Sequence, residues 1–314
     1  MRKNTDRIRG ALYGVAAGDA LGGPVEFMSA DEIRRQHGHV ETMLGGGWLG
    51  LRPGEVTDDT QMTLAVAKGI ASYGKKNDMG EDDIKEIVRL IGWEFSEWAS
   101  SKPKDIGATC NKTIWLARQH IRFGGFDDYT AWMKSAELYH RQSGGRSAGN
   151  GTLMRTIFPA LYCEDLDSAV LIARTQSKMT HYDDVAADCC EEYVRMVYHA
   201  IQMNSLEAWE MIRQRTEELS MTLLRVLKAA TIKPDEYVVN SLAVALQAVC
   251  SATDFREAVC NAVNRGGDAD TIGAIAGGLA GAIWGFEGIP AEWKMAFSDE
   301  VKKELDLHAT LAGE

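Results

Sequence analysis

The run Gly267-Asp268-Ala269-Asp270-Thr271-Ile272-Gly273-Ala274-Ile275-Ala276-Gly277-Gly278-Leu279-Ala280-Gly281 decides the fold. Its small residues fill a helix near the C-terminus. A glycine inside a helix costs about 1 kcal/mol relative to alanine, so such a run needs compensation. Close helix-to-helix approach in a crowded centre would supply it. A second concentration of small residues, Gly14, Ala16, Ala17 and Gly18, lines the first helix. Polar flanks exclude the membrane version of this packing.

Helical spacing recurs outward from there. Ile8, Leu12, Val15 and Ala16 share one face of the first helix, and Gly22-Gly23-Pro24 stops it. Ile84, Ile87, Val88 and Ile91 mark another, continuing through Trp93 and Trp98 until Pro103. The stretches 185–203, 206–227, 238–250 and 255–263 carry the same period, and strand signals are almost absent. Trp93, Trp98 and Trp115 read as core or interhelix packing. The loops are Gly45-Gly46-Gly47-Trp48 to Gly54, and Ser143 to Gly151. No linker divides the chain and no fixed-period repeat suggests a solenoid. The expectation is an all-α, compact single-domain orthogonal helical bundle spanning 1–314.

The composition is that of a soluble globular protein: 45% hydrophobic, 25% charged and six prolines. A net charge of −11 argues against a nucleic-acid backbone as partner. It leaves a single nucleotide open, since bound metal or helix N-termini could meet its charge. No apolar run reaches the roughly 18 residues of a membrane span, and Met1 to Arg9 lack a signal region. A cytoplasmic location and a monomer are expected. Cys110, Cys163, Cys189, Cys190, Cys250 and Cys260 show no zinc spacing and read as reduced, mostly buried residues.

Two acidic clusters carry the chemistry: Thr57-Asp58-Asp59-Thr60 and Asp268-Ala269-Asp270-Thr271. Each stands just before an apolar helical stretch, where one Asp or Thr would serve as an N-cap. Capping does not explain neighbouring carboxylates, twice, each followed by Thr. Like charges packed at a helix start repel unless a cation sits between them. Oxygen ligands without His or Cys select Mg²⁺, Mn²⁺ or Ca²⁺ over zinc. The two clusters match two six-coordinate ions if the fold brings them together.

These two motifs, with Gly18-Asp19-Ala20-Leu21-Gly22 followed by Glu26, and Gly149-Asn150-Gly151-Thr152-Leu153-Met154-Arg155, resemble the ADP-ribosylglycohydrolase family. The four occur in family order between residue 8 and about residue 285. The resemblance implies two divalent cations, Mg²⁺ or Mn²⁺, held by Thr57, Asp58 and Asp59 from one side and Asp268, Asp270 and Thr271 from the other. It puts Glu26 near the second ion and the scissile bond, and makes Glu26, Asp58 or Asp59 the candidate base. Backbone N–H groups of Gly149, Asn150 and Gly151 would meet the diphosphate. Asp105, His181 and Tyr237 would line the ADP-ribose cleft. The reaction implied is hydrolysis of the glycosidic bond between ADP-ribose and a modified side chain, with N-linked arginine as first choice. O-linked serine, a small ADP-ribose-containing molecule, or a non-catalytic ADP-ribose-binding member of the fold are the alternatives.

Bland readings stand beside these. Glu26 by itself would be a solvated loop acid, Asp19 a structural hydrogen-bonding residue, and His181 a structural histidine. His37 and His39 read as solvated. Thr180-His181-Tyr182-Asp183 lacks the adjacent His-Asp pair of helical phosphohydrolases. Cys110 stands where a second Thr is frequent in the family, and Val56 where an aromatic residue is common. Both bear on pocket shape.

Overall fold

The computed structural model describes residues 4–229 and 231–314, apart from the side chain of Met221. The first three residues of the charged N-terminal stretch lie outside the described residues. The helices are α1 (Thr5–Gly22), α2 (Ala30–His37), α3 (Asp58–Tyr73), α4 (Glu81–Ser100), α5 (Ala108–Phe123), α6 (Asp128–Gln142), α7 (Phe158–Tyr162) and α8 (Leu166–Lys178). They continue as α9 (Asp184–Ala200), α10 (Ser205–Glu217), α11 (Met221–Leu227), α12 (Val238–Cys250), α13 (Phe255–Val263), α14 (Ala269–Trp284), α15 (Ala291–Ala296) and α16 (Asp299–Gly313). Among the described residues extended pairing is limited to isolated bridges. The chain is all-α, and no described helix is long and apolar enough to cross a membrane.

The two small-residue stripes meet. A β-carbon built on Gly14 would lie 2.0 Å from the Gly277 carbonyl oxygen, and one on Gly18 would lie 1.9 Å from that of Gly273. Gly10 faces Gly281 in the same way. The glycines recur at four-residue spacing on both helices, so α1 and α14 run antiparallel with backbones in contact. Every residue of α14 except Trp284 is buried, and α12 and α13 pack on its other flanks. A helix covered all round is a core element. This contact carries the N-terminus of α14 to the C-terminus of α1, where the acidic residues lie.

Two expectations need correction. The stretch 206–227 is two helices: it breaks after Glu217, and Ser220 caps α11 by accepting from the Leu223 amide. Trp93 and Trp115 are more than half exposed, because they fall on the solvent sides of α4 and α5. Trp98 is partly buried and donates its indole N–H to Gln61. Five of the six free cysteines are buried, and His37 and His39 are exposed.

Candidate active site

Asp19, near the end of α1, organises the start of α3. Its buried carboxylate accepts from the amides of Thr57 and Thr60 at 3.0 and 3.1 Å, and from their hydroxyls at 2.8 and 2.5 Å. The structural reading of Asp19 therefore holds: a neighbouring helix caps α3 in place of the local side chain. Neither Thr57 nor Asp268, the N-cap residues of α3 and α14, uses its side chain to cap its own helix. Asp268 instead accepts from Asn150, and Thr57 Oγ1 lies between two carboxylates, 2.8 Å from Asp19 and 3.1 Å from Asp59, which share its one proton.

Opposite them, Asp268 and Asp270 converge with Glu26, and one oxygen of each lies within 4.8 Å of the others. Glu26 is brought there by the backbone. Phe27 N–H donates to Gly267 O, and Gly267 N–H donates to Met28 O, both at 2.7 Å. Gly267 has φ +68°, and a β-carbon on it would lie 1.8 Å from the Pro234 carbonyl oxygen, so no other residue fits. Phe27 itself has φ +63°, a conformation that costs of order 1–3 kcal/mol in a side-chain-bearing residue and gathers at functional sites. Trp48 donates its indole N–H to Glu26 Oε2 at 2.7 Å and packs its ring against Phe27, centroids 5.8 Å apart.

The electrostatics are one-sided. Burial, then the neighbouring acids Asp105 and Asp19, holds Asp58 well above the usual carboxylate range. Burial with Asp19 and Asp58 does the same to Asp59, and burial with Asp59 and Glu26 to Asp270. Burial pushes Glu26 up to about 7 against the Trp48 hydrogen bond, and Asp19 up to about 6 against its four donors. Among the described residues Asp59 Oδ1 is buried with no hydrogen-bond partner. An orphan carboxyl oxygen among buried acids, with oxygen ligands from Asp, Glu and Thr around it, fits hard divalent cations.

A cleft of about 410 Å³ opens over this cluster. Glu26, Asp58, Asp268, Asp270 and Thr271 lie at its floor, with Asp105, Gly149, Asn150, Gly151 and His181 around it. Tyr237 is exposed and bridged to Gly149, next in the chain to Glu236 of the cleft wall, and is not itself among the described lining residues. The expectation for the 149–151 loop needs amending. The Asn150 amide is spent on the Glu236 carbonyl at 3.0 Å, which leaves those of Gly149 and Gly151 to meet a ligand. The Asn150 side chain instead donates to Asp268 at 2.6 Å and to Ser241 at 2.9 Å, aiming a floor carboxylate. A larger groove of about 750 Å³ lies behind α3, between Arg52–Val56, Glu94–Ser101 and Ser298–Glu304, and holds none of the acidic cluster.

Trp48 and Arg155 escaped the sequence reading as parts of the site. Trp48 stood in a glycine-rich loop, and an indole carried by three consecutive glycines was the available signal. Arg155 was only the end of a motif. It is fully buried and, among the described residues, has no carboxylate within bonding distance; it donates to Gln176 Oε1 at 2.9 Å and to Thr180 Oγ1 at 2.7 Å, with Phe95 under its guanidinium. His181 is buried beside it, and burial together with the Arg155 charge pushes the imidazole down to about 3.

The profile of the ADP-ribosylglycohydrolase family matches residues 1–313. The chain is 34% identical to the ADP-ribosyl-[dinitrogen reductase] glycohydrolase of Rhodospirillum rubrum, over 98% of this chain and 97% of that protein. It is 32% identical to the ADP-ribosylarginine hydrolase Tri1 of Pseudomonas putida (strain GB-1), over 95% of this chain and 76% of that one. A solved structure titled ADP-ribosylglycohydrolase-related protein complex superposes with TM-score 0.76 at 28% identity, covering 98% of this chain and 97% of that one. With a helical fold that gathers distant acidic motifs under one cleft, and relatives matched end to end, the chain belongs to the ADP-ribosylglycohydrolase family and is a hydrolase of ADP-ribosylated substrates.

Proposed function

We propose that this enzyme hydrolyses the N-glycosidic bond between ADP-ribose and an arginine side chain, with two divalent cations, Mg²⁺ or Mn²⁺, at the acidic floor and the whole chain working as one domain. The observation that carries the reading is the acidic cluster: Glu26, Asp58, Asp268 and Asp270 at the floor, with Asp105 on the wall and Asp59 packed behind them, and no Lys or Arg among the described cleft residues. Thr57, Asp58 and Asp59 would hold the cations from the α3 side, and Asp268, Asp270 and Thr271 from the α14 side. When bound, the cations neutralise the cluster and polarise oxygen ligands.

The chain's own groups supply the rest. Glu26, Asp58 or Asp59 takes the proton of the attacking water. Trp48 holds Glu26 in place for that role, and Asn150 holds Asp268. The cleavage passes through an oxocarbenium-like transition state, which a carboxylate-rich wall stabilises. The choice of arginine rests on the mouth of the cleft. The half-exposed rings of Phe27 and Trp48 stand beside Glu26 and Asp105, a planar and anionic surround suited to a guanidinium. The Tri1 relative is named for that substrate.

The test is release of free ADP-ribose from an ADP-ribosylated arginine substrate with Mg²⁺ or Mn²⁺, and then with EDTA. Release that stops on chelation is expected. Undiminished release after exhaustive chelation would remove the metal-dependent reading, and release only from a serine-linked substrate would remove the arginine one.

A further inference from the structure

Resting on the reading of the cleft as an ADP-ribose site, we infer that Arg155 and Thr180 act as positioning residues that hold His181 as a neutral imidazole with its proton on Nε2, so that it donates a hydrogen bond to a diphosphate oxygen. Arg155 Nη2 can only donate, so Thr180 Oγ1, 2.7 Å away, accepts from it. Thr180 Oγ1 also lies 2.8 Å from His181 Nδ1. A hydroxyl that accepts from a cation becomes a better donor. Of the two acceptors in its reach, His181 Nδ1 and the Cys110 sulfur, a ring nitrogen is much the stronger, so the hydroxyl proton goes to Nδ1 as the bare nitrogen of the ring.

The remaining ring proton is then on Nε2, and Nε2 faces the glycine loop. A β-carbon on Gly149 would lie 3.1 Å from Nε2, and one on Gly151 would lie 3.5 Å from it. This is the part of the cleft where the Gly149 and Gly151 amides are left over from the bridge to Glu236 and Tyr237. With no Lys or Arg on its described walls, the protein's own side of the cleft offers a diphosphate neutral N–H groups, and His181 Nε2 is a third beside those two. The buried guanidinium behind Thr180 contributes twice. It fixes the direction of the hydroxyl, and it disfavours an imidazolium. The backbone leaves little play, since Thr180 and His181 both donate to Ser177 O and the Thr180 carbonyl accepts from Thr113.

The test is a long-range ¹H–¹⁵N correlation spectrum of the full-length ¹⁵N-labelled protein at neutral pH, with the His181 signals identified by their loss in His181→Gln. Protons coupled to a protonated Nε2 and a bare Nδ1 are expected. A protonated Nδ1 would overturn the proposal, whatever the variants do. In parallel, Thr180→Val should weaken ADP-ribose binding about tenfold by titration calorimetry with Mg²⁺, the size of one hydrogen bond to a charged group. That loss should appear in KM rather than kcat, and Thr180→Ser should restore it. Thr180→Val binding ADP-ribose as tightly as wild type would sink the role of the relay. Should Thr180→Val fail to fold, the wild-type spectrum still decides the tautomer. Wild-type protein that binds no ADP-ribose would instead remove the functional reading, while the His181 spectrum answered separately.

Discussion

At the scale of single residues, the site is a set of anions held against their own repulsion. Asp270 is buried among Asp59, Glu26 and Asp268 and is held far above its ordinary range. Removing that charge should cost activity and spare the fold. Asp270→Asn is expected to lower kcat about 10³-fold, the scale of losing a group that stabilises transition-state charge. The melting temperature of its metal-free form at pH 8 should equal or exceed that of wild type. A metal-free variant that melts well below wild type would show that Asp270 is chiefly structural. Trp48→Phe keeps the ring on Phe27 and deletes the N–H that holds Glu26. It should reduce kcat/KM roughly tenfold, the worth of one charge-assisted hydrogen bond. Unchanged kcat/KM would mean that Glu26 needs no such anchor. The acidic motifs were legible because carboxylate pairs before an apolar helix are hard to explain otherwise. Trp48 and Glu26 are 22 residues apart in separate loops, and no periodicity connects them.

At the scale of elements, the antiparallel contact of α1 and α14 is the device that assembles the floor. Gly14→Ala or Gly277→Ala would drive a methyl group to about 2 Å from a carbonyl oxygen of the facing helix. The helices must separate, and overpacking of this kind costs on the order of 3 kcal/mol. Urea denaturation should show that loss, and the apparent Mg²⁺ affinity should fall with it as Asp268 and Asp270 move away from Glu26. Gly80→Ala, at an exposed helix start with nothing nearer than 3.7 Å, serves as the control and should cost under about 1 kcal/mol. Equal stability of Gly14→Ala and Gly80→Ala would refute the close contact. The helices themselves were readable from their period, with α12 and α13 matching the expected 238–250 and 255–263. The break between α10 and α11 was not, because a single capping serine in an otherwise periodic stretch gives a weak signal.

At the scale of the whole molecule, the site carries a stability cost that depends on pH. Glu26, Asp58, Asp59 and Asp270 have folded pKa values raised above their unfolded ones. Where the unfolded chain is ionised and the folded one still binds the proton, stability falls as pH rises. The histidines His181 and His308, which are buried, and His199 act the other way, since their pKa values are lowered, but that gain is largely complete once pH exceeds about 6.5, the value of a free imidazole. For Glu26, pushed up to about 7, the loss runs from about pH 4.5 to pH 7 and overlaps the histidine gain, so the clean comparison is wild type against Glu26→Gln. Metal-free wild type should lose stability relative to Glu26→Gln as pH rises across that window, and Mg²⁺ or Mn²⁺ should restore more of it at pH 7 than at pH 5. Thermal scans of the two proteins with and without metal measure this. A difference in melting temperature between them that stays constant from about pH 4.5 to 7 in EDTA would contradict the electrostatic account.

The sequence by itself determined the all-α class, the family and the two acidic motifs, because helical period and short carboxylate patterns are local properties of a chain. It also pointed to close packing wherever glycines crowded a helix. Only the tertiary structure decided that these glycines pair α1 with α14, that Asp19 caps α3 from another helix, and that Asn150 serves Asp268 with its side chain. The same holds for the buried line from Arg155 through Thr180 to His181. Each joins atoms from segments distant in the chain, and which segments meet is set by how the helices pack rather than by any pattern within one of them.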